Sequence, residues 1–333
     1  MAKPKVYISR KITETARKKL EKAGFAVSMF PHSHAKISRG ELFHRIKGVT
    51  AVITLLTEKV DSAFFKAAGS QLKVVANYAV GFDNINLKDA AKYNVKIGNT
   101  PCEEVNQAVS EMSMTMILAL ARGISQADNF VRAGNYKTWD PLIFVGPSLT
   151  GKTLGIVGAG RIGGGLAHRA KDGFGLKLIY SDVKRNMEFE KAHGAKFVSF
   201  EKLLKTSDFV SLHVPLLPST RHLMSTKQFK MMKKTAFVIN TARGPIIDEL
   251  ALLKALKAKE IAGAALDVFE CEPHIDCNPK DNLRLKDFDN VILTPHIASA
   301  TIEAREKMAD MAVENVIAAV NGRRMPAEVK MIK

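Results

Sequence analysis

Short apolar runs alternate with amphipathic segments from one end of the chain to the other. Val6–Ile8, Val52–Thr54 and Val74–Ala76 read as strands. Between and after them, Thr13–Ala23, Gly40–Ile46 and Ser62–Ala68 carry helical spacing. That alternation predicts parallel βα units. A long helix is then expected from about Glu104 to Ala121, with Gly123 as its stop signal.

A loop rich in Pro and Gly runs from Trp139 to Gly151, and a second, tighter series of apolar runs begins after it. Leu154–Val157, Leu178–Ser181, Phe209–His213, Phe237–Asn240, Ala264–Asp267 and Val291–Thr294 are six predicted buried strands. With their intervening helices they satisfy the requirements of a doubly wound nucleotide-binding sheet. A last helix is expected from about Ala300 to Asn321, with Met308, Met311, Ala312 and Val316 on one face. The chain holds no internal repeat and no low-complexity tract.

Composition adds limits rather than a function. The 333 residues, 46% of them hydrophobic, exceed what one core needs and predict two domains. The net charge of +17 raises nucleic acid, an anionic surface or anionic small molecules as partners. Lysines and arginines are scattered in small groups such as Arg17-Lys18-Lys19 and Arg323-Arg324, without a dense basic block. Solvated helix faces account for most of them, so no nucleic-acid partner is expected. Cys102, Cys271 and Cys277 form no CxxC pair, and this odd set predicts neither a disulfide framework nor a zinc site. The amino-terminal residues lack the apolar core of a signal peptide, and Met112–Ala121 is too short to span a bilayer. A cytoplasmic protein with no membrane partner is the expectation.

The first chemical signal is Gly158-Ala159-Gly160-Arg161-Ile162-Gly163, directly after the strand Leu154–Val157 and opening a helix. Glycine loops alone are common, but strand before, helix after and acid at the right distance make a dinucleotide fingerprint. Gly158 permits the tight turn, Gly160 admits the pyrophosphate, and Gly163 lets helix and strand pack closely. The amides of Arg161 and Ile162 face the phosphates. Asp182, 22 positions after Gly160, is placed to accept the adenosine ribose hydroxyls. Its carboxylate would repel a 2′-phosphate, which favours NAD, with NADP as the alternative because Lys184 and Arg185 follow closely.

Three later segments sit at strand ends: Asn240-Thr241-Ala242-Arg243-Gly244-Pro245, Asp267-Val268-Phe269-Glu270-Cys271-Glu272-Pro273 and Thr294-Pro295-His296-Ile297-Ala298-Ser299. Ligands of open α/β sheets bind beyond the carboxyl ends of the strands, so these loops should converge with the glycine loop. With Asn77-Tyr78-Ala79-Val80-Gly81-Phe82-Asp83-Asn84-Ile85, they resemble the D-isomer-specific 2-hydroxyacid dehydrogenase family, most like its glyoxylate/hydroxypyruvate reductases. The resemblance covers nearly the whole chain. It implies an α/β fold of two Rossmann-like domains. A doubly wound parallel-sheet NAD domain, 104–297, is inserted in a smaller flavodoxin-like substrate domain, 1–103 and 298–333. The domains are expected to close about hinges near Glu104 and Ala298.

The same resemblance implies roles. Arg243 binds the substrate carboxylate and polarises the keto oxygen, a task suited to a fixed fork of donors. His296 is the acid in reduction and the base in oxidation, and Glu272 orients it and favours its protonated form. Leu56, Val80 and Gly81 join Arg243 in holding the substrate. Val109, His213, Val214, Pro215, Thr241, Ala242, Asp267 and Ala298 join the glycine loop and Asp182 around the cofactor. Trp139 resembles the aromatic of a loop that reaches into a partner subunit, which implies a homodimer built around Ala108–Asp140. The substrate implied is a small anion.

Duller readings remain for isolated residues. His32 and His34 form an HxH pair in a polar loop without a third ligand, so solvated histidines are expected and no metal. Cys102 reads as a packed thiol. Among relatives, formate dehydrogenases pair the histidine with glutamine, and Glu272 argues against them. Phosphite dehydrogenases keep the Arg-Glu-His set. A phosphoglycerate dehydrogenase would usually carry a longer C-terminal region. A NAD-sensing corepressor would add a long disordered tail and a peptide cleft, and no such tail is seen here.

Overall fold

The fold follows from the alternation of buried strands and amphipathic helices. A computed structural model describes residues 2–32, 35–272, 274 and 284–330. The chain divides into two compact units, Met1–Val105 with Ala300–Lys333, and Asn106–Ser299.

The first unit runs β1 (Lys5–Ile8), α1 (Glu14–Lys22), β2 (Ala26–Met29), α2 (Arg39–Arg45), β3 (Ala51–Thr54), α3 (Ser62–Ala68), β4 (Val74–Asn77), α4 (Leu87–Lys92) and β5 (Lys96–Gly98). Its five parallel strands lie in the order β2-β1-β3-β4-β5, the arrangement of flavodoxin-like sheets. β3 and β4 are buried along their whole length, as parallel strands covered on both faces must be. The apolar pattern reveals them for that reason. It misses β2, whose residues stay partly or fully exposed, and β5 and α4, which have three and six residues. α2 and α3 start on Ser38 and Asp61, whose side chains accept the Glu41 and Phe64 amides.

The second unit opens with α5 (Glu103–Arg122), which the first unit shares at its start, and α6 (Ile124–Arg132). Gly123 adopts φ +58 between them, so it ends α5 and redirects the chain into α6. There follow β6 (Thr153–Val157), α7 (Arg161–His168), β7 (Lys177–Ser181), α8 (Met187–His193), β8 (Lys196–Phe197), α9 (Phe200–Thr206), β9 (Phe209–Leu212), α10 (Thr226–Met231), β10 (Phe237–Asn240), α11 (Glu249–Lys257), β11 (Gly263–Leu266) and β12 (Val291–Leu293). All seven strands pair in parallel, in the order β12-β11-β10-β9-β6-β7-β8. The expected six strands are joined by β8, a two-residue exposed edge strand with no apolar run to announce it. β12, at the opposite edge, is only half-buried. The strand order reverses at β6, which places a crevice at the carboxyl ends of β6 and β9.

α12 (Ile302–Val320) returns to the first unit and packs on β4, with Met308, Ala312 and Val316 buried. No helix among the described residues is long and apolar enough to cross a membrane. One expectation is overturned. Cys102 is a free, buried thiol, but Cys271 is disulfide-bonded. An odd number of cysteines does not exclude a disulfide.

Candidate active site

β6 delivers the glycine loop. Gly158 has φ +99, and a methyl group added there would stand 2.8 Å from the carbonyl of His213, at the end of β9. A methyl on Gly163 would stand 2.4 Å from the Gly158 carbonyl oxygen and 3.1 Å from Ile156. These two glycines hold the turn against its own sheet. Gly160 differs, because a methyl there meets nothing within 4 Å. Open space at the amino end of α7 is what a pyrophosphate needs, so the cradle fits a dinucleotide.

The loop is held from both sides. The Asp182 carboxylate accepts the Ala159 amide at 2.8 Å and the Val183 amide at 2.6 Å. Ser110, on α5, donates its hydroxyl to the Ile162 carbonyl at 2.9 Å. Val109 is buried beside it, and Ser113 hydrogen-bonds the Thr241 hydroxyl at 3.0 Å. Ser110 and Ser113 carry no sequence signal of their own; the turn spacing of α5 aims them at the sheet. His213, Val214 and Pro215 follow β9 directly. The His213 ring shares a 2.8 Å hydrogen bond with Ser211, and desolvation pulls its pKa down to about 4.

β10, β11 and β12 end in the three loops singled out above. After β10, Asn240 ties the turn by accepting the Ala242 amide and donating to the Arg243 carbonyl, at 3.0 and 2.9 Å. Arg243 keeps extended backbone at φ −147, and its Nη1 donates to the Ala242 carbonyl at 2.8 Å. A methyl on Gly244 would meet the Phe269 carbonyl oxygen at 1.8 Å. The backbone of the arginine loop therefore lies directly on that of the glutamate loop.

Glu272 closes the arrangement. Its Oε1 accepts the Phe269 amide at 2.9 Å, and its Oε2 lies 2.9 Å from Nδ1 of His296. Burial pushes the Glu272 carboxyl up. The His296 hydrogen bond and charge, the Phe269 amide and the Arg243 charge outweigh that and hold it below its ordinary value. His296 sits at φ +56, a conformation rare for a residue with a side chain.

Asp267 explains how that strain is tolerated. It is fully buried, and it accepts the Thr294 hydroxyl at 2.6 Å and the Ile297 and Ala298 amides at 2.8 Å each. The His296 amide donates to the Asp267 carbonyl at 2.9 Å. Both carboxylate oxygens are thus engaged with the histidine loop. A second layer lies behind: the Glu270 carboxylate pairs with Nε2 of His222 at 2.6 Å, and Glu249 and Glu270 each donate the backbone amide to the other's carboxylate, at 3.2 and 3.3 Å. His222 and Glu249 have no motif spacing to mark them.

Leu56, Val80 and Gly81 belong to the first unit, after β3 and β4. Asn77 accepts the Thr54 hydroxyl and donates to the Gly81 carbonyl at 2.9 Å, and Asn84 donates to the Leu55 and Glu58 carbonyls. Buried Glu58 accepts the Ser9 hydroxyl and the Leu55 amide. The Asn84 amide therefore ties the two loops together, while the Glu58 carboxylate ties the first of them to the end of β1. Among the described residues no group of His, Cys, Asp and Glu could hold a metal ion. His34 lies outside the described residues, while the His32 ring packs edge-on against Phe30. The Cys102 thiol is raised by burial.

A sheet reversing beside a glycine cradle, with Arg, Glu and His loops on the same strand ends, defines a dinucleotide-dependent dehydrogenase. Residues 114–298 match the family model described as D-isomer specific 2-hydroxyacid dehydrogenase, NAD binding domain. A glyoxylate reductase of Thermococcus litoralis is 47% identical over 97% of this chain and 96% of its own. A protein of known structure from Thermus thermophilus superposes with a TM-score of 0.90 at 34% identity, covering 98% of this chain and 100% of the other. The structure of a glyoxylate reductase from Paecilomyes thermophila gives a TM-score of 0.84 at 29% identity, over 99% of each chain. The chain belongs to the D-isomer-specific 2-hydroxyacid dehydrogenases, and its second unit carries their NAD-binding domain.

Proposed function

We propose that this enzyme reduces a small 2-keto acid, glyoxylate or hydroxypyruvate, to the D-2-hydroxy acid with NADH. One observation carries the reading. A carboxylate-backed imidazole stands on the strand ends of the same sheet as the glycine cradle, and the loop that supplies the carboxylate packs against that of an arginine. The glyoxylate reductases among its relatives favour glyoxylate.

Arg243 binds the substrate carboxylate and polarises the keto oxygen with its planar fork. His296 gives its Nε2 proton to that oxygen, while Nδ1 stays on Glu272. The reduced nicotinamide, when bound, supplies the hydride. By the same resemblance we assign Leu56, Val80 and Gly81 to the substrate. Val109, Gly158, Gly160, Arg161, Ile162, Gly163, Asp182, His213, Val214, Pro215, Thr241, Ala242, Asp267 and Ala298 are assigned to the dinucleotide. Asp182 favours NAD over NADP by charge. We place the enzyme in the cytoplasm, where a reduced nicotinamide pool is maintained.

We further propose a homodimer. α6 buries none of its residues, and Val131 at 58%, Trp139 at 75%, Leu142 at 81% and Val145 at 74% are exposed around and after it. A run of large apolar side chains this exposed supports a protein partner, and a second copy is the economical one. The reaction is tested by following NADH oxidation with glyoxylate, hydroxypyruvate, pyruvate and phenylpyruvate, and NAD reduction with phosphite. Highest kcat/KM on glyoxylate or hydroxypyruvate is expected; turnover of phosphite alone would overturn the reading.

A further inference from the structure

Lys184 and Arg185 follow Asp182, and a cation free to turn back could hold a 2′-phosphate that the aspartate repels. Arg185 is not free to do so. Its Nε donates to Oε1 of Glu190 at 2.7 Å and its Nη2 to Oε2 at 2.8 Å, a forked pairing. Glu190 lies in the first turn of α8 and is itself fixed. The Tyr180 hydroxyl donates to its Oε1 at 2.9 Å and accepts the Asn186 amide at 2.7 Å. Asn186 caps α8 by accepting the Phe189 amide at 3.0 Å, and reaches the Ala159 carbonyl of the glycine loop at 3.3 Å.

The pair is asymmetric in exposure: the Arg185 side chain is 58% exposed and that of Glu190 only 17%. The Arg185 hydrogen bond holds the Glu190 carboxyl down at about 2, so it is ionised at any working pH. If the guanidinium left for a 2′-phosphate, Glu190 would lose both arms of the fork and keep only the Tyr180 hydroxyl among these partners.

We propose that Glu190 is a positioning residue for cofactor choice. By drawing Arg185 onto α8 it withholds the guanidinium, the better matched of the two nearby cations for a 2′-phosphate, and so reinforces Asp182 in favouring NAD over NADP. This inference rests on the dinucleotide assignment of the glycine loop.

The test is calorimetric titration of NADH and NADPH into the wild type, Glu190→Gln, Glu190→Ala, Arg185→Ala and the Glu190→Gln/Arg185→Ala double variant. Releasing the guanidinium should tighten NADPH about tenfold, the order of one charge-assisted hydrogen bond, with NADH unchanged. Removing Arg185 should cost more NADPH affinity in the Glu190→Gln background than in the wild type. Unchanged NADPH affinity in both Glu190 variants, or a gain that survives loss of Arg185, would overturn the proposal. A general disturbance of the fold would weaken both cofactors alike, and would likewise count against it. Failure of the wild type to bind NADH at all would instead remove the dinucleotide assignment itself.

Discussion

Nδ1 of His296 lies 2.9 Å from Oε2 of Glu272, and the other carboxylate oxygen is held by the Phe269 amide at 2.9 Å. The carboxylate is therefore clamped before it orients the imidazole, and Nε2 is the atom we propose to face substrate. Glu272→Gln keeps the shape but removes the charge, so it should lower kcat by roughly 10–100-fold, at the modest end of acid–base effects. Steady-state kinetics with glyoxylate checks this. The pair also has a sign in stability. The Glu272 pKa is lowered in the fold, so its stabilisation is present above the ordinary value of 4.5 and is lost as pH falls through the depressed one. Denaturant titrations at acid pH should show a smaller acid loss for Glu272→Gln than for the wild type.

Asp267 and Glu272 look alike in sequence but do different work. Asp267→Asn loses a buried charged acceptor for Thr294, Ile297 and Ala298. It should destabilise the second unit by about 2–3 kcal/mol and lower kcat by releasing His296 from φ +56. Chemical denaturation and kinetics on the same variant separate it from Glu272→Gln, whose loss at neutral pH is mainly kinetic.

The glycine loop yields a paired contrast. Gly160→Ala places its methyl in open space, so the melting temperature should hold while NADH affinity falls at least tenfold. Gly163→Ala forces a methyl to 2.4 Å from a backbone oxygen and should cost about 1–3 kcal/mol of stability. Thermal melts and calorimetric titration distinguish the two.

His213 provides a second pH dependence. Its pKa drops to about 4 in the fold from an ordinary 6.5, so the unfolded chain binds the extra proton between those values. Stability should therefore fall as pH drops from 6.5 toward 4, by on the order of 2 kcal/mol. His213→Asn should remove that slope. An unchanged slope in the variant would assign the acid lability elsewhere.

The exposed apolar run gives a test of assembly. Leu142→Asp with Val131→Asp should convert a dimer to a monomer in analytical ultracentrifugation, since both side chains are more than half exposed in the chain alone. A wild type that sediments as a monomer at micromolar concentration would contradict the dimer.

Much of this was legible in the sequence because buried parallel strands are continuous apolar runs. β3, β4, β9 and β11 are buried throughout, and each shows as such. β2 and β8 were hidden because they lie at sheet edges, where exposure breaks the run. The glycine spacing is readable because the turn's backbone geometry demands glycine there, and Asp182 and the ends of β10–β12 because they resemble the family's motifs. Ser110, Asn84, His222 and Glu249 were not readable. Their roles depend on partners distant in sequence, and hydroxyls, amides and carboxylates serve equally well on a wet surface. The bridge at Cys271 is invisible to a cysteine count, because an odd number does not exclude a pair.

The most direct measurement is a comparison of kcat and KM for glyoxylate in the wild type, His296→Gln and Arg243→Ala. A kcat loss of about 10²–10⁴-fold with little change in KM is expected for the histidine variant. A raised KM together with a lowered kcat is expected for the arginine variant, because we assign to that side chain both the carboxylate and the polarised oxygen. Wild-type turnover in either variant would contradict the assignment of proton delivery and carboxylate binding to these two side chains.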